Sequence, residues 1–293
     1  MLIRIISLLA LLFLQTLAFA APAEGERMTA EQFEATLKYR QGTITLPGNR
    51  AVLEVPDSFR YLDPQDAERL LVNAWGNPPG SHSLGMLIPK DTSPLSANSW
   101  GVVITYLDDG HVSDDEADSI DFGELLQNMQ EGVRERNKER ERKGYGSLEL
   151  VGWAEPPHYD KASHKLYWAK ELKIAGEDTN TLNYCIRVLG RDGVLELNAV
   201  ASVAQLGTIK TRMRDVLAFT NFKGGQTYAD FNPASDKVAT YGLATLIGGA
   251  VAAKTGLIAK LIAMLLAAKK LVIVALLGVV AFVRKLFGGK PAT

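Results

Sequence analysis

Hydrophobic and polar positions divide this chain into two apolar ends and a mixed middle. At the start, the basic Arg4 precedes an apolar run over residues 5–14 that only Ser7 interrupts, and residues 18–20 (Ala-Phe-Ala) place small side chains just before Ala21. This order is typical of a cleaved secretory signal. The run is shorter than the ~20 residues that a membrane-spanning helix needs. We therefore predict a signal peptide over residues 1–20, followed by an exported chain.

The carboxyl end is apolar over residues 238–287, with basic but no acidic side chains. This composition predicts a membrane anchor, followed by a short tail over residues 288–293. A single helix over residues 257–283 is long enough to cross the apolar core of a bilayer, but it would hold Lys269 and Lys270 in lipid, which is costly.

A helical hairpin is the other topology for the anchor, with helices over residues 238–258 and 261–283. It would let the lysines reach toward one membrane surface. Small residues recur every fourth position in the first helix, a spacing that lets helix backbones approach closely in lipid. These predicted membrane-packing residues are Ala244, Gly248, Ala252 and Gly256. Both topologies stay open.

The middle of the chain, residues 21–237, alternates short apolar runs with turn residues and a few amphipathic stretches. Strands are predicted over residues 43–46, 51–55, 84–88, 100–107, 148–153, 165–174, 182–189 and 194–201. Helices are predicted from Thr29 to about 39, from Asp63-Pro64, from 122 to 143, and over 208–218. Short turns join the strands, so we expect an α+β fold with a mostly antiparallel sheet and flanking helices, joined to the C-terminal transmembrane helix or hairpin.

Charge is unevenly distributed. All 33 acidic residues and 24 of the 32 basic ones lie in residues 21–237, a net charge of −9 for this part. An acidic domain argues against nucleic acid as a partner, because phosphate binding requires clustered positive charge. The basic apolar tail suits an anionic membrane surface. We predict a protein of the cytoplasmic (inner) membrane, in contact with lipid, with its main domain on the periplasmic side.

Candidate chemistry is sparse. The sequence contains no nucleophile elbow, phosphate loop or dinucleotide fingerprint, so no cofactor or catalytic residue is predicted. Its single cysteine, Cys185, lies in an apolar run and is expected to be a buried thiol. The possible metal ligands are Asp108, Asp109, Asp114, Asp115, His158 and His164. Helix capping by Ser113 with Glu116, and by Asp121 with Glu124, is the interpretation we favour for the acidic cluster.

Several short motifs resemble a family of bacterial membrane-anchored proteins that is defined only as a domain of unknown function. The motifs are Gly42-Thr43-Ile44, Trp75-Gly76-Asn77-Pro78-Pro79, Leu182-Asn183-Tyr184, Ile186-Arg187-Val188-Leu189-Gly190, Gly193-Val194-Leu195 and Tyr228-Ala229-Asp230-Phe231, with the tail from Lys237. The resemblance covers nearly the whole mature chain. It implies an exported, membrane-anchored protein and brings no catalytic residues with it. The order of elements after Leu148 is also similar to small α+β domains of the photosystem-accessory and lipoprotein type.

These observations predict a non-enzymatic binding or interaction module of the cell envelope. Its partners would be membrane lipid and either a second protein or another copy of the chain, through the tail. Two alternatives stay open. One is an envelope hydrolase using the 108–121 loop or His158 and His164 as acid and base. The other is an accessory subunit of a membrane transport complex, with tail lysines along the transport path.

Overall fold

The computed structural model describes residues 28–249, which form ten strands and five α-helices. The strands are β1 (Gly42–Thr45), β2 (Ala51–Val55), β3 (Phe59–Leu62), β4 (Gly85–Pro89), β5 (Gly101–Leu107), β6 (Leu148–Asp160), β7 (Lys165–Ile174), β8 (Thr181–Leu189), β9 (Val194–Ser202) and β10 (Thr220–Phe222). The helices are α1 (Ala30–Ala35), α2 (Pro64–Arg69), α3 (Phe122–Arg142), α4 (Leu206–Ala218) and α5 (Leu243–Gly248).

Seven of the strands form one antiparallel sheet in the order β3-β4-β5-β9-β8-β7-β6. A smaller antiparallel sheet has the order β1-β2-β10. Because side chains alternate between the faces of a strand, each central strand of the large sheet sends one set of residues to each side. In β9, Leu195, Leu197 and Ala199 point to one face, while Glu196 and Asn198 point to the other.

The first face of the large sheet packs against α4 and the small sheet. Its core includes Ile186 from β8, Leu53 from β2, and Ile209, Met213 and Val216 from α4. The three α4 residues recur at helical spacing, which places them on the buried side of that helix. This layer is the main hydrophobic core.

The second face is covered by α3 and α5. Leu125, Met129 and Val133 recur every fourth residue along α3, so they form one buried stripe toward the sheet. The side chain of Asn137 fixes α3 to the edge strand β6: its Nδ2 donates to the Leu148 carbonyl at 2.8 Å and its Oδ1 accepts from the Leu148 N–H at 2.9 Å. These bonds satisfy backbone groups that an edge strand would otherwise leave open.

At the other edge, α2 packs on β3 and β4. Asp63 caps this helix by accepting from the Asp66 N–H, and Pro64 occupies the first turn, as the sequence predicts. The helix continues as a π-turn over Leu70–Ala74. Leu70 and Leu71 are buried there with Leu62, Met86 and other residues in a third, smaller core.

The α+β class, the antiparallel sheet and the flanking helices are confirmed, and every predicted strand overlaps an observed one. The short strands β3 and β10 are absent from the prediction, and β6 runs to Asp160 with irregular pairing to β7 instead of ending at 153. The helix capped by Thr29 ends at Ala35, not near 39. Arg40 instead pairs with Tyr61 in an isolated bridge beside the large sheet, which requires extended backbone.

The helix predicted to begin at 238 begins at Leu243. Residues 237–239 are extended and bond to the backbone of His111, and α5 follows with Leu243, Leu246 and Ile247 buried against the domain. Within residues 28–249, no helix is both long and apolar enough to cross a bilayer. Residues 250–287 of the predicted anchor, the short tail after them and the predicted signal peptide lie outside the described residues.

Candidate functional site

A cavity of about 710 Å³ lies between the second face of the large sheet and the helices α3 and α5. We call it the sheet cavity. Its volume is within the ~300–1,000 Å³ range of ligand pockets. Strands β6 to β9 form its floor, and the helices form its walls. Apolar side chains of the lining include Met129, Val133, Leu148, Leu150, Leu172 and Leu246.

The floor holds a row of polar side chains from three adjacent strands. Thr105 on β5, Glu196 on β9 and Arg187 on β8 are direct cross-strand neighbours. The Thr105 hydroxyl donates to Glu196 Oε2 at 2.6 Å, and Arg187 Nε lies 2.6 Å from Glu196 Oε1. The side chains of Arg187 and Glu196 are only 12% and 16% exposed. Such a pair is stable only while both partners are present, because either charge alone would be poorly solvated.

Trp168 on β7 adds an unusual polar group to the same floor. Its side chain lines the cavity, the residue is 1% exposed, and the Arg187 guanidinium lies 4.9 Å from the ring centroid. The indole Nε1 is buried and has no hydrogen-bond partner among the described residues. Buried donors are nearly always paired, so this nitrogen is an exception. It has almost no accessible surface, so it does not face the open space of the cavity.

Three cationic and two acidic side chains line the cavity, and among the described residues only one of these cations is paired with one of the acids. Glu196 is paired with Arg187, and Asp109 accepts a hydrogen bond from the Tyr241 hydroxyl at 2.7 Å. Arg136 on α3 and Lys170 on β7 also line the cavity, and neither forms an ion pair within residues 28–249. The cavity therefore carries a local positive charge inside an otherwise acidic domain.

One wall of the cavity is the segment that leads out of the described domain. Tyr241, Thr245, Leu246 and Ile247 line it, and Gly249 follows at its mouth. Glu116 holds the start of this wall, because its Oε1 accepts from the Ala244 N–H at 3.0 Å in the first turn of α5.

Backbone pairing holds the same segment further upstream. The His111 N–H donates to the Lys237 carbonyl at 2.8 Å, and the Ala239 N–H donates to the His111 carbonyl at 2.8 Å. The preceding Gly110 has φ of 107°, and a Cβ there would lie 2.6 Å from the Lys237 oxygen. Only glycine permits this close approach.

The predicted acidic cluster is not gathered around one point. Asp108 pairs with Arg50, Asp109 bonds Tyr241, and Asp115 bonds Ser113. The capping box expected from Ser113 and Glu116 is wrong, since only a short 3-10 turn over Ala117–Ser119 follows, without a side-chain cap, and Glu116 bonds to the first turn of α5 instead. Asp121 does cap α3, accepting from the N–H groups of residues 123 and 124.

Asp114 lies in a separate cluster at one end of the sheet. It accepts hydrogen bonds from the hydroxyls of Tyr159 at 2.7 Å and Tyr228 at 3.0 Å, and His164 Nδ1 lies 3.6 Å away. Burial acts to raise the pKa of Asp114, but the two hydroxyls outweigh it and the pKa is lowered. Burial and the bonds to Asp114 raise the pKa of both tyrosines.

The Tyr228 ring stacks between two histidines, with centroid distances of 4.1 Å to His164 and 4.3 Å to His111. Burial lowers the pKa of His111, which favours the neutral ring in this stack. These contacts join the chain around residue 228 to the end of the sheet. The polar groups of this cluster already bond to one another, so the cluster has a structural role in holding these two parts of the chain together.

His158 lies apart from His164. It lines a second pocket of about 350 Å³ on the first face, beside the ion pair of Lys210 with Glu155 at 2.6 Å. Burial raises the pKa of Tyr184 in that pocket to about 12. In the part of the chain that the structure describes, no three His, Cys, Asp or Glu side chains are grouped to hold a metal ion. Cys185 is buried, as predicted.

Of the predicted membrane-packing residues, Ala244 and Gly248 lie in α5, where both are partly buried and Gly248 lines the sheet cavity. Ala252 and Gly256 lie outside the described residues. The polar floor of the cavity was not predicted. The sequence does contain an indication of this floor, because Arg187 and Glu196 are charged residues within apolar strands. The turn at residues 190–193 places them opposite each other.

Comparison with known proteins gives one family and several distant structures. The model of a family described as "Protein of unknown function (DUF2167)" matches residues 38–280. The sequence matches no curated protein.

Three solved structures illustrate how distant the structural similarities are. The structure of PsbP from the cyanobacterium Synechocystis sp. PCC 6803 has 10% identity and a TM-score of 0.35, covering 64% of this chain and 92% of its own. The Ran-binding protein Mog1p of Saccharomyces cerevisiae has 9% identity and a TM-score of 0.32, and the match covers 67% of this chain and 100% of Mog1p. LpqN, involved in cell envelope biogenesis of Mycobacterium tuberculosis, has 14% identity and a TM-score of 0.31, and the match covers 68% of this chain and 99% of LpqN. Similarities of this size transfer neither an activity nor a partner.

Proposed function

We propose that this chain, which belongs to the DUF2167 family of proteins of unknown function, is a non-enzymatic binding protein of the cell envelope whose ligand occupies the sheet cavity. The observation that carries the proposal is a cavity of about 710 Å³ whose lining combines apolar side chains with Lys170 and Arg136, two cations that form no ion pair among the described residues. A ligand of opposite charge would pair with these cations.

The polar groups of the cavity are suited to binding. Arg187, Lys170 and Arg136 are donors, and the main acceptor, Glu196, is already engaged by Arg187 and Thr105. A general base needs a free acceptor within reach of a proton on the substrate. The cavity therefore favours recognition over proton transfer, and the hydrolase alternative gains no support from it.

Membrane attachment is the second part of the proposal. The sequence of residues 1–20 supports export, and the apolar, basic composition of residues 250–287 supports an anchor in the cytoplasmic membrane. The cavity wall formed by Tyr241, Thr245 and Leu246 directly precedes that stretch. In such an arrangement the domain would take up its ligand, or contact a partner protein, close to the outer surface of the bilayer.

The test compares two substitutions in the same segment. Thr245→Trp places an indole in the cavity, whereas Thr240→Trp places it on an exposed position outside the cavity lining. The full-length variants and the unmodified chain would be purified from membranes in mild detergent, and small molecules retained by each would be identified by native mass spectrometry. We expect the unmodified chain and Thr240→Trp to retain the same ligand, and Thr245→Trp to lose it. Retention by both variants, or by none of the three proteins, would contradict the proposal.

Localisation has its own measurement. The proposal requires the full-length chain to sediment with membranes, to begin at Ala21, and to be cut by protease added to the periplasmic side. A chain recovered from the cytosol with residues 1–20 intact would contradict it.

A further inference from the structure

We infer that the ligand of the sheet cavity is an amphiphile with an anionic head group, a carboxylate or a phosphate, bound with its hydrocarbon chain against the apolar wall and its head beside Lys170 and Arg136. This inference rests on the proposed function and names the chemical class of its ligand.

The charge of the lining selects an anion. Three cationic side chains and two carboxylates line the cavity, so positive charge is in excess by one; Glu196 is paired with Arg187, and Asp109 keeps its charge while it accepts from the Tyr241 hydroxyl. Lys170 and Arg136 remain without an ion pair in the described part of the chain. Because residues 21–237 carry a net charge of −9, a positive site here is a local property and not a reflection of the whole domain.

The two cations come from different elements that face each other. Lys170 stands on β7, in the floor, directly beside Asn183 of β8 in the strand register. Arg136 lies on α3, three residues after Val133 and therefore on the neighbouring turn of the same helix face. A head group between floor and wall would therefore lie in the space that both side chains line.

The apolar part of the lining selects a hydrocarbon chain. Met129 and Val133 from α3, Leu150 from β6, and Leu246 from α5 line the cavity on several sides. Each methylene that moves from water into such surroundings strengthens binding about fourfold. A small anion would leave these walls in contact with water, so an amphiphile matches the lining better than inorganic phosphate or acetate.

The side chain of Trp168 also lines the cavity floor. Lys170 follows two residues later on the same strand face, so both side chains reach the same side of the sheet. The site of the head group is therefore next to an aromatic part of the floor.

The experiment uses the full-length chain in a fixed background of nonionic detergent and measures binding of three probes with the same dodecyl chain. The probes are dodecanoate, dodecyl phosphate and dodecyltrimethylammonium, followed through tryptophan fluorescence, with Trp168→Phe identifying the part of the signal that comes from the cavity. We expect one or both anionic probes to bind at least tenfold more tightly than the cation, and octanoate to bind much more weakly than dodecanoate. Preference for dodecanoate would indicate a free fatty acid, and preference for dodecyl phosphate would indicate a phospholipid head group.

Matched charge substitutions locate the head group. Lys170→Gln and Arg136→Gln should each weaken anion binding about fivefold, the effect of one charge a few ångströms away in a hydrated site. Lys173→Gln on the same strand and Arg134→Gln on the same helix remove identical charges outside the cavity lining, and they should leave binding unchanged. All variants would first be compared by circular dichroism and thermal unfolding.

The outcomes separate the two proposals. If the cation binds as tightly as the anions, and Thr245→Trp abolishes binding of all three, the cavity is a ligand site but the inference about the anionic head is wrong. Equal losses in the Lys173 and Arg134 controls would also overturn it. If no probe binds and no ligand is retained on purification, both proposals fail.

Discussion

The pair of Arg187 and Glu196 provides the sharpest test of the structure. The perturbation is Arg187→Met, which keeps an unbranched side chain beneath the Trp168 ring and removes the charge. Glu196 would then keep its bond from Thr105 but would lose the guanidinium 2.6 Å away. The companion changes are Glu196→Gln, which leaves the arginine unpaired, and the double variant.

The expected magnitude follows from burial. Removing one partner of a fully buried ion pair costs about 3–5 kcal/mol, since the remaining charge is left unsolvated. Here the side chains keep 12% and 16% exposure at the floor of an open cavity, so water relieves part of this cost. We expect each single variant to lower the free energy of unfolding by about 2–3 kcal/mol. The double variant should be more stable than the sum of the two losses by about 1–2 kcal/mol.

The assay is urea unfolding of the purified full-length chain at pH 7, followed by circular dichroism, with a thermal scan as a second measurement. For a domain of this size the single variants should unfold about 4–12 °C below the unmodified chain. Arg134→Gln, which removes an exposed arginine of α3, is the control and should shift little. A loss below about 0.5 kcal/mol in either single variant, or strictly additive losses in the double variant, would show that Arg187 and Glu196 do not stabilise each other as a buried ion pair.

Three further predictions concern other contacts. Asp121→Ala removes the cap that accepts from two N–H groups at the start of α3 and should cost about 1 kcal/mol in urea unfolding, whereas Asp121→Asn should cost less; equal losses would contradict a capping role. Glu116→Ala should expose the chain around residues 237–249 to limited proteolysis, since it frees the first turn of α5, and unchanged cleavage there would contradict this. The pKa of Asp114 is lowered, so its carboxylate contributes stability above the ordinary carboxyl pKa, and this contribution is lost as the pH falls through the lowered pKa. Asp114→Asn should therefore reduce the loss of stability on acidification below about pH 4, and an unchanged acid profile would argue against it.

Local patterns in the sequence determined most of the secondary structure. Short apolar runs between turn residues identified the central strands, because strands covered on both faces of a sheet carry apolar side chains on both sides. The N-caps of α2 and α3 could also be predicted from the sequence, because Asp63 and Asp121 directly precede the helices that they cap. The short strands β3 and β10 were missed, since three or four residues are too few to show a period and their pairing partners supply the hydrogen bonds.

Contacts between residues far apart in the chain could not be predicted from local sequence patterns. Glu116 resembles a capping-box residue for its own turn, yet it caps α5, which lies 128 positions away along the chain. The local capping box does not form, because only a 3-10 turn of three residues, Ala117–Ser119, follows Ser113, and a single turn is not continued into an α-helix that a cap would stabilise.

Composition and local pattern were enough to establish the acidic middle, the apolar ends and most strands, and the turn at residues 190–193 sets Arg187 opposite Glu196, since a hairpin turn fixes register over its neighbouring residues. Only the folded chain shows that this polar row lies under α3 and α5, and that space remains between them. Periodicity records which face of an element is buried, but the gap between two faces depends on how distant side chains fill it. The buried indole of Trp168 and the position of Lys170 therefore acquire meaning only in the folded chain.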